Sequence, residues 1–190
     1  MSAKATRREL NARQAETVER VALAAREELR EVGFDGLTVR SVAGRAAVAP
    51  ATAYTYFSSK NHLIAEIFWR RLVERPHVES MANSKLSPTE AVIAVFTDLV
   101  DFIKDEPELA AAVTSALLGS DPDVRELRGL IGSEINNRLT TALGPDGDPE
   151  VLAVLNIIWS GALLQVGMGY ARIERMGERL AVATRMVLPT

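Results

Sequence analysis

Side chains that could contact nucleic acid are concentrated between residues 38 and 60. The hydroxyl groups belong to Thr38, Thr52, Tyr54, Thr55 and Tyr56, and Lys60 adds a positive charge. Hydroxyls can bond phosphates and the edges of bases, and an ammonium group can neutralise a phosphate. This stretch therefore indicates contact with a DNA groove. The alternatives are that the two tyrosines pack in a core with only their hydroxyls at the rim, and that Lys60 is a solvated cation.

Residues suited to catalysis or metal binding are few. His62 and Glu66 lie one helical turn apart, but the chain has only 2 histidines and no cysteine to complete a metal site. Asp98, Asp101 and Asp105 share a helical face, which we interpret as a solvated stripe rather than a magnesium site. The sequence has no glycine-rich phosphate loop and no G-x-S-x-G motif. We therefore predict that the chain is not an enzyme and binds no metal or cofactor.

Two short helices joined by a tight turn are predicted to present the hydroxyl groups. The apolar residues that would hold this pair on a third helix are Val39, Val42, Ala43, Val48, Ala53 and Phe57. A short second helix held in this way, with polar groups at its exposed edge, is typical of the helix-turn-helix, whose second helix enters the major groove.

Signals for helix starts and stops recur along the whole chain, and no segment is typical of a strand. Thr6 with Glu9 forms a capping-box pattern, and Gly33 is suited to end the first helix. Ser59 is suited to cap helix 4. Three Ser–Pro or Asp–Pro pairs start later helices, because each places an acceptor at the N-cap and proline at the first helical position. These pairs are Ser87–Pro88, Asp121–Pro122 and Asp148–Pro149.

These signals predict an all-α protein of about nine helices. Helix 2 is predicted to end near residue 46, helix 3 to begin at Pro50, and helices 5 to 9 to cover about 88–105, 107–119, 122–143, 149–171 and a segment ending near 188. We predict a DNA-binding domain at 1–58 and a ligand-binding and dimerisation domain at 59–190, with helix 4, about 59–75, as connector.

Composition and charge fit this organisation. The 190 residues are enough for one small domain and one larger one, and the N-terminus lacks an apolar signal-peptide core, so we predict a cytoplasmic protein. Residues 1–75 carry 13 Lys and Arg against 9 Asp and Glu, whereas residues 76–190 carry 9 against 16. A basic N-terminal part on an acidic chain favours a local nucleic-acid contact. Chance segregation of charge is the alternative.

The run from Val21 to Leu63 resembles the tetracycline-repressor (TetR) family of bacterial transcription regulators. The features that carry the resemblance are Gly33–Phe34, Leu37–Thr38–Val39–Arg40, Val48, Thr52, Tyr54, Tyr56–Phe57, Ser59–Lys60 and Leu63. The resemblance implies a ligand-responsive regulator, most often a repressor that a small molecule releases from a palindromic operator. It also implies a homodimer formed by helices 8 and 9. The alternative is a helical ligand carrier or enzyme that kept the three-helix head.

The resemblance also implies roles for individual residues. Arg40 matches a residue that reaches a base, and Thr38, Tyr56 and Lys60 match phosphate contacts. Thr52 and Tyr54 match major-groove contacts, and we place Thr55 on the same helix edge.

The chain departs from the family pattern at four positions of the helix-turn-helix. Ala47 replaces the usual turn glycine, and because a positive φ there would cost alanine roughly 1 kcal/mol, we expect a turn that is wound a little differently. Pro50 and Ala51 replace a more polar pair, which leaves apolar contact with DNA, for example with thymine methyl groups. Ala53 replaces a leucine, which would alter how closely helix 3 packs.

Residues 151–171 contain no charge and are apolar on all sides. Such a helix either spans a membrane or is buried all round. Because the stretch also contains polar residues and three glycines and stands alone in the chain, we favour burial, with one side toward a ligand pocket and the other toward a second subunit. The expected pocket residues are Trp69, Phe96, Leu99, Phe102, Ile103, Val113, Leu117, Ile131, Ile135, Asn136, Trp159, Leu163, Gln165 and Met168. Each of them could instead be simple core. Because all of these candidates except Asn136 and Gln165 are apolar or aromatic, we expect a hydrophobic effector.

Overall fold

The structure, a computed structural model, describes residues 11–77 and 86–188. Those residues form nine α-helices and one 3-10 turn, with no strand. The helices are α1 (Ala12–Gly36), α2 (Val39–Arg45), α3 (Pro50–Tyr56), α4 (Lys60–Glu74), α5 (Pro88–Asp105), α6 (Pro107–Leu117), α7 (Pro122–Leu143), α8 (Pro149–Gly167) and α9 (Met176–Val187). The all-α prediction with about nine helices is confirmed.

Helix starts follow the capping residues seen in the sequence. The Ser87 side chain accepts from the backbone of Glu90 at 3.3 Å, and the Glu90 carboxylate accepts from the Ser87 backbone at 2.9 Å, which completes a capping box. Asp148 accepts from the backbone N–H of Glu150 at 2.8 Å at the start of α8. Ser59 Oγ accepts from the backbone N–H of His62 at 3.0 Å at the start of α4. These side chains satisfy N–H groups that have no partner within the helix.

The first helix is capped at Asn11 and is interrupted at Gly33, the residue predicted to end it. The described part begins at Ala12, and Asn11 caps it through a reciprocal bond with Gln14. The predicted capping box of Thr6 and Glu9 lies outside the described residues. Gly33 interrupts the helix with φ 68°, and one further turn follows before Leu37. Glycine is suited to this position because a Cβ disfavours a positive φ.

Helix α8 is shorter than predicted. It ends at Gly167 instead of near Ala171, because the chain turns at Gly169 with φ 75°. The backbone N–H groups of Tyr170 and Ala171 both donate to the carbonyl of Gln165, which closes this turn. Gly169, one of the three glycines in this apolar stretch, is therefore the residue at which the chain turns away from the helix.

The chain forms two compact units. Unit 1 comprises the described part of Met1–Arg71 together with Glu108–Leu130, and unit 2 comprises the described parts of Leu72–Pro107 and Ile131–Thr190. Helices α4 and α7 contribute residues to both. In unit 1, α1, α2 and α3 pack on one another, and in unit 2, α9 packs against α5 and α8. The assignment of functional domains to 1–58 and 59–190 stays a prediction.

Candidate nucleic-acid interface

The turn between α2 and α3 is a Schellman motif built on an alanine. The N–H of Val48 donates to the carbonyl of Ala43 at 2.9 Å, and the N–H of Ala47 donates to that of Gly44 at 3.1 Å. Ala47 has φ 51°, the single positive φ among the described non-glycine residues. The differently wound turn expected from the sequence is therefore not found: Ala47 adopts the positive φ, and the hydrogen bonds of the motif hold it in place.

Apolar residues on the inner side of α2 and α3 hold the pair against α1 within unit 1. Val39, Val42, Ala43, Ala53 and Phe57 are buried, as predicted, whereas Val48 is half-buried. Ala53 is fully enclosed, so the position where a leucine is usual is filled without one.

Arg45, at the end of α2, ties that helix to α1. Its Nε lies 2.8 Å from a carboxylate oxygen of Glu28, and its terminal nitrogens bond both carboxylate oxygens of Glu31. The hydrogen bond from Arg45 lowers the pKa of Glu31, and the bonds to Glu31 and Glu28 raise the pKa of Arg45. Because Arg45 is committed to these carboxylates, it is not a candidate for a DNA contact.

The outer side of the motif carries the predicted DNA-contacting residues. Those that are exposed are Thr38, Arg40, Pro50, Ala51, Thr52, Tyr54 and Thr55, whereas Tyr56 and Lys60 are half-buried. Tyr54 is 50% exposed, so core packing does not account for its ring. The structure thus brings the hydroxyl groups and Arg40 to the surface of two adjacent short helices.

Some of these groups already have partners within the chain. Thr38 is the N-cap of α2, where its hydroxyl accepts from the backbone of Ser41 at 2.9 Å. The Thr55 hydroxyl donates to the carbonyl of Ala51 at 3.0 Å. Lys60 Nζ donates to the carbonyl of Phe34 at 3.1 Å and lies 4.4 Å from the centre of the Phe34 ring. An ammonium group has three N–H donors, so Lys60 keeps others for a phosphate.

Polar contacts also hold the start of α4 to the start of α7 within unit 1. The Ser58 hydroxyl donates to Asp123 Oδ2 at 2.6 Å, and the Ser58 backbone N–H donates to His62 Nδ1 at 3.2 Å. Asn61 donates to Asp121 at 3.2 Å. No local pattern predicts the bonds from Ser58 to Asp123 and from Asn61 to Asp121, because their partners lie 65 and 60 residues apart.

The His62 imidazole is buried at this junction and is held in its neutral form. Burial lowers the pKa of His62, and the carboxylates of Asp123, Glu66 and Asp121 act in the opposite direction. The bond from the Ser58 backbone to Nδ1 also requires that nitrogen to be an acceptor.

Comparisons with known proteins agree with this geometry. Residues 23–67 match the bacterial regulatory proteins of the tetR family. An uncharacterised HTH-type transcriptional regulator of Mycobacterium tuberculosis H37Rv, Rv0767c, is 43% identical over 180 residues, which are 94% of this chain and 83% of that protein. This chain belongs to the TetR family. It is therefore a transcriptional regulator and not an enzyme.

Two further similar proteins have lower sequence identity. The HTH-type transcriptional repressor KstR of Mycolicibacterium smegmatis is 25% identical over 166 residues, covering 83% of this chain and 80% of that protein. The crystal structure of a TetR transcriptional regulator from Rhodococcus sp. RHA1 has a TM-score of 0.76 at 22% identity, covering 94% of this chain and 98% of that one. The second likeness confirms the TetR fold.

The predicted pocket residues are distributed over both units. In unit 2 the buried ones are Phe96, Leu99, Phe102, Ile103, Ile131, Ile135 and Trp159, and the half-buried ones are Asn136 and Leu163. In unit 1 Val113 is buried, and Trp69 and Leu117 are half-buried. Gln165 and Met168 are exposed near the end of α8, so this chain does not enclose them as predicted. Met168 lies beyond the early end of α8 as its C-cap, whereas Gln165 lies within the helix on an exposed side.

Sequence reasoning missed a buried arginine in unit 2. The Arg138 guanidinium donates to the carbonyls of Leu72 at 3.1 Å and Arg75 at 3.2 Å, which lie at the end of α4. It also bonds Glu134 at 2.9 Å and lies 3.5 Å from Asp98. With these partners, the buried Arg138 guanidinium fixes the end of α4.

Proposed function

We propose that this TetR-family regulator is a cytoplasmic repressor that binds a palindromic operator as a homodimer and is released by a hydrophobic small molecule. The observation that carries the DNA-binding part is the row of exposed hydroxyls and Arg40 on two helices whose opposite side is buried. Repression is favoured by the likeness to repressors named KstR in three organisms, at 24–26% identity.

Within the DNA interface we assign Arg40 to a guanine base, because its guanidinium is exposed and makes no ion pair among the described residues. Thr52 and Tyr54 read the major groove, with Thr55 beside them. Pro50 and Ala51 supply apolar contact at the start of α3. Thr38, Tyr56 and Lys60 position the head on phosphates.

The homodimer is supported by the unpartnered surface of α8. This helix has a mean hydropathy of 1.5, yet only 17% of its apolar window is buried in the chain. Val154, Ile157, Leu164 and Met168 are exposed at spacings of three, seven and four residues, which places them on one side of the helix. Val182 and Met186 on α9 are also exposed. A second copy that covers these helices accounts for the apolar surface without a membrane.

A hydrophobic effector is supported by the side chains of unit 2. Seven of the predicted pocket residues there are buried and apolar or aromatic. Such an effector lowers operator affinity only if it binds better to a conformation whose two heads do not fit the operator. A coupling free energy of about 1–3 kcal/mol would lower operator affinity about 5- to 150-fold.

Selection of bound duplexes from a random library tests the DNA-binding proposal. The wild-type protein should enrich a palindrome, and Arg40→Ala should lose preference at one base pair of each half-site at a cost of about 1–3 kcal/mol. Arg45→Ala is the matched control, because Arg45 is engaged with Glu28 and Glu31 and should leave the selected sequence unchanged. An Arg40 variant that selects the same palindrome would remove the assigned base contact. Enrichment of no common sequence would refute the operator proposal itself.

A further inference from the structure

The indole nitrogen of Trp159 is a buried donor that lacks an acceptor. Trp159 lies on α8 and is only 4% exposed, and its Nε1–H has no hydrogen-bond partner among the described residues. Buried tryptophan N–H groups usually have a partner, because leaving one unpaired costs about 1–3 kcal/mol. The position of this donor therefore requires an explanation.

Packing against a neighbouring aromatic ring restrains the plane of the Trp159 indole. The ring of Phe96 on α5 stacks on Trp159 with a centroid distance of 5.9 Å and an angle of 9° between the planes. Phe96 is itself buried. Because the N–H bond lies in the plane of the indole, this stacking keeps the donor in a plane nearly parallel to the Phe96 ring. A hydrogen bond made in such apolar surroundings is also stronger than one made in water.

The polar residues predicted to recognise an effector are less suited to that role. Asn156 Nδ2 donates to Asn136 Oδ1 at 3.0 Å and to the carbonyl of Leu152 at 2.9 Å, so both residues already have partners within unit 2. Gln165 is exposed. Asn156 precedes Trp159 by three residues and is its neighbour on the helix, yet it leaves the indole N–H without an acceptor.

We propose that Trp159 donates a hydrogen bond to the effector, and that the effector is a largely apolar molecule with an acceptor oxygen such as a ketone. This inference rests on the proposed effector site in unit 2. A hydrocarbon of the same shape fills the same space but leaves the donor unpaired. The oxygen should therefore raise affinity by roughly two- to tenfold, the usual net gain from one hydrogen bond.

The indole N–H signals of the full-length protein test the proposal directly. The chain has 2 tryptophans, so a nitrogen-15 NMR spectrum shows two such signals, and Trp69→Phe leaves that of Trp159 alone. In the free protein the Trp159 proton should resonate at the upfield position of an unbonded indole. The probes are three pairs of ketone and hydrocarbon: 9-fluorenone and fluorene, cyclododecanone and cyclododecane, and 5α-androstan-3-one and 5α-androstane.

Support requires that at least one ketone binds more tightly than its hydrocarbon and moves the Trp159 proton downfield. In Trp159→Phe, which keeps an aromatic ring beside Phe96, the two members of that pair should bind equally. Equal binding in the wild type, or a Trp159 proton that is already downfield in the free protein, overturns the donor role alone. If no probe shifts either the melting temperature or any NMR signal, the proposed apolar effector site fails as well.

Discussion

Replacing Ala47 by glycine should stabilise the protein. Ala47 holds φ 51°, a conformation that costs a residue with a Cβ roughly 1–2 kcal/mol and costs glycine almost nothing. Glycine also gives the unfolded chain more conformational freedom, and this offsets about 0.4–1 kcal/mol of the stability gained by relieving the strain. The Ala47 side chain is exposed, so no packing is lost. We therefore expect Ala47→Gly to raise the free energy of unfolding by about 0.5–1 kcal/mol.

Urea unfolding followed by circular dichroism measures this change. The midpoint should rise while the slope of the unfolding free energy against urea concentration stays unchanged. All variants should be compared at one protomer concentration, because a dimer's apparent stability depends on it.

The matched control is Ala51→Gly, which makes the same chemical change at an exposed position inside α3. Glycine there should destabilise the protein by about 0.5–1 kcal/mol. Opposite signs for the two variants would establish that the backbone at Ala47 is strained. A destabilised Ala47→Gly, with the same sign as Ala51→Gly, would refute the reasoning.

Three further predictions concern single contacts. Lys60→Ala should weaken binding to all DNA sequences and lower the slope of log affinity against log salt concentration by about one. An unchanged slope would mean that the ammonium group stays on the Phe34 carbonyl and contacts no phosphate. His62→Asn should make stability less sensitive to acid between pH 7 and 5. Because the pKa of His62 is lowered in the folded state, the neutral imidazole contributes fully to the free energy of unfolding above about pH 6.5. Below that pH the wild-type protein should lose up to about 1.4 kcal/mol per pH unit. Equal pH profiles of stability for the wild type and the variant would contradict this. Arg138→Met should lower the free energy of unfolding in urea by about 3–5 kcal/mol, because Arg138 is buried. The control Arg125→Ala, at an exposed position, should change that free energy by less than about 0.5 kcal/mol. Similar values for both variants would exclude a structural role for Arg138.

Features governed by local rules could be predicted from the sequence. The starts of α5 and α8 follow from Ser87 and Asp148, because an N-cap needs only a side-chain acceptor and the next few residues. The resemblance marks Ala47 as the turn position where glycine is usual, but it does not show that alanine keeps the positive φ there, because a differently wound turn would avoid the strain. The sequence predicts too late an end for α8, because several glycines follow one another and no local pattern shows which of them turns the chain.

Contacts between distant residues could not be predicted. The bond from Lys60 to Phe34 joins residues 26 apart, and the bond from Arg138 to Leu72 joins residues 66 apart. No local pattern encodes such pairs, because they depend on how helices meet. For the same reason the sequence predicts Trp159 only as an apolar pocket residue, since its unpaired N–H becomes visible once its neighbours are known.

The spacing of operator half-sites offers the most direct test of the central claim, that two copies of this chain place their α3 helices in successive major grooves. Fluorescence anisotropy should compare the selected palindrome with a version in which five base pairs are inserted between the half-sites. Two linked heads fit grooves about 34 Å apart on one face of the duplex, and five base pairs move one half-site to the opposite face. The account predicts that affinity falls to the level of random DNA, with two protomers bound per intact operator. Equal affinity for both duplexes, or one protomer per operator, would contradict it.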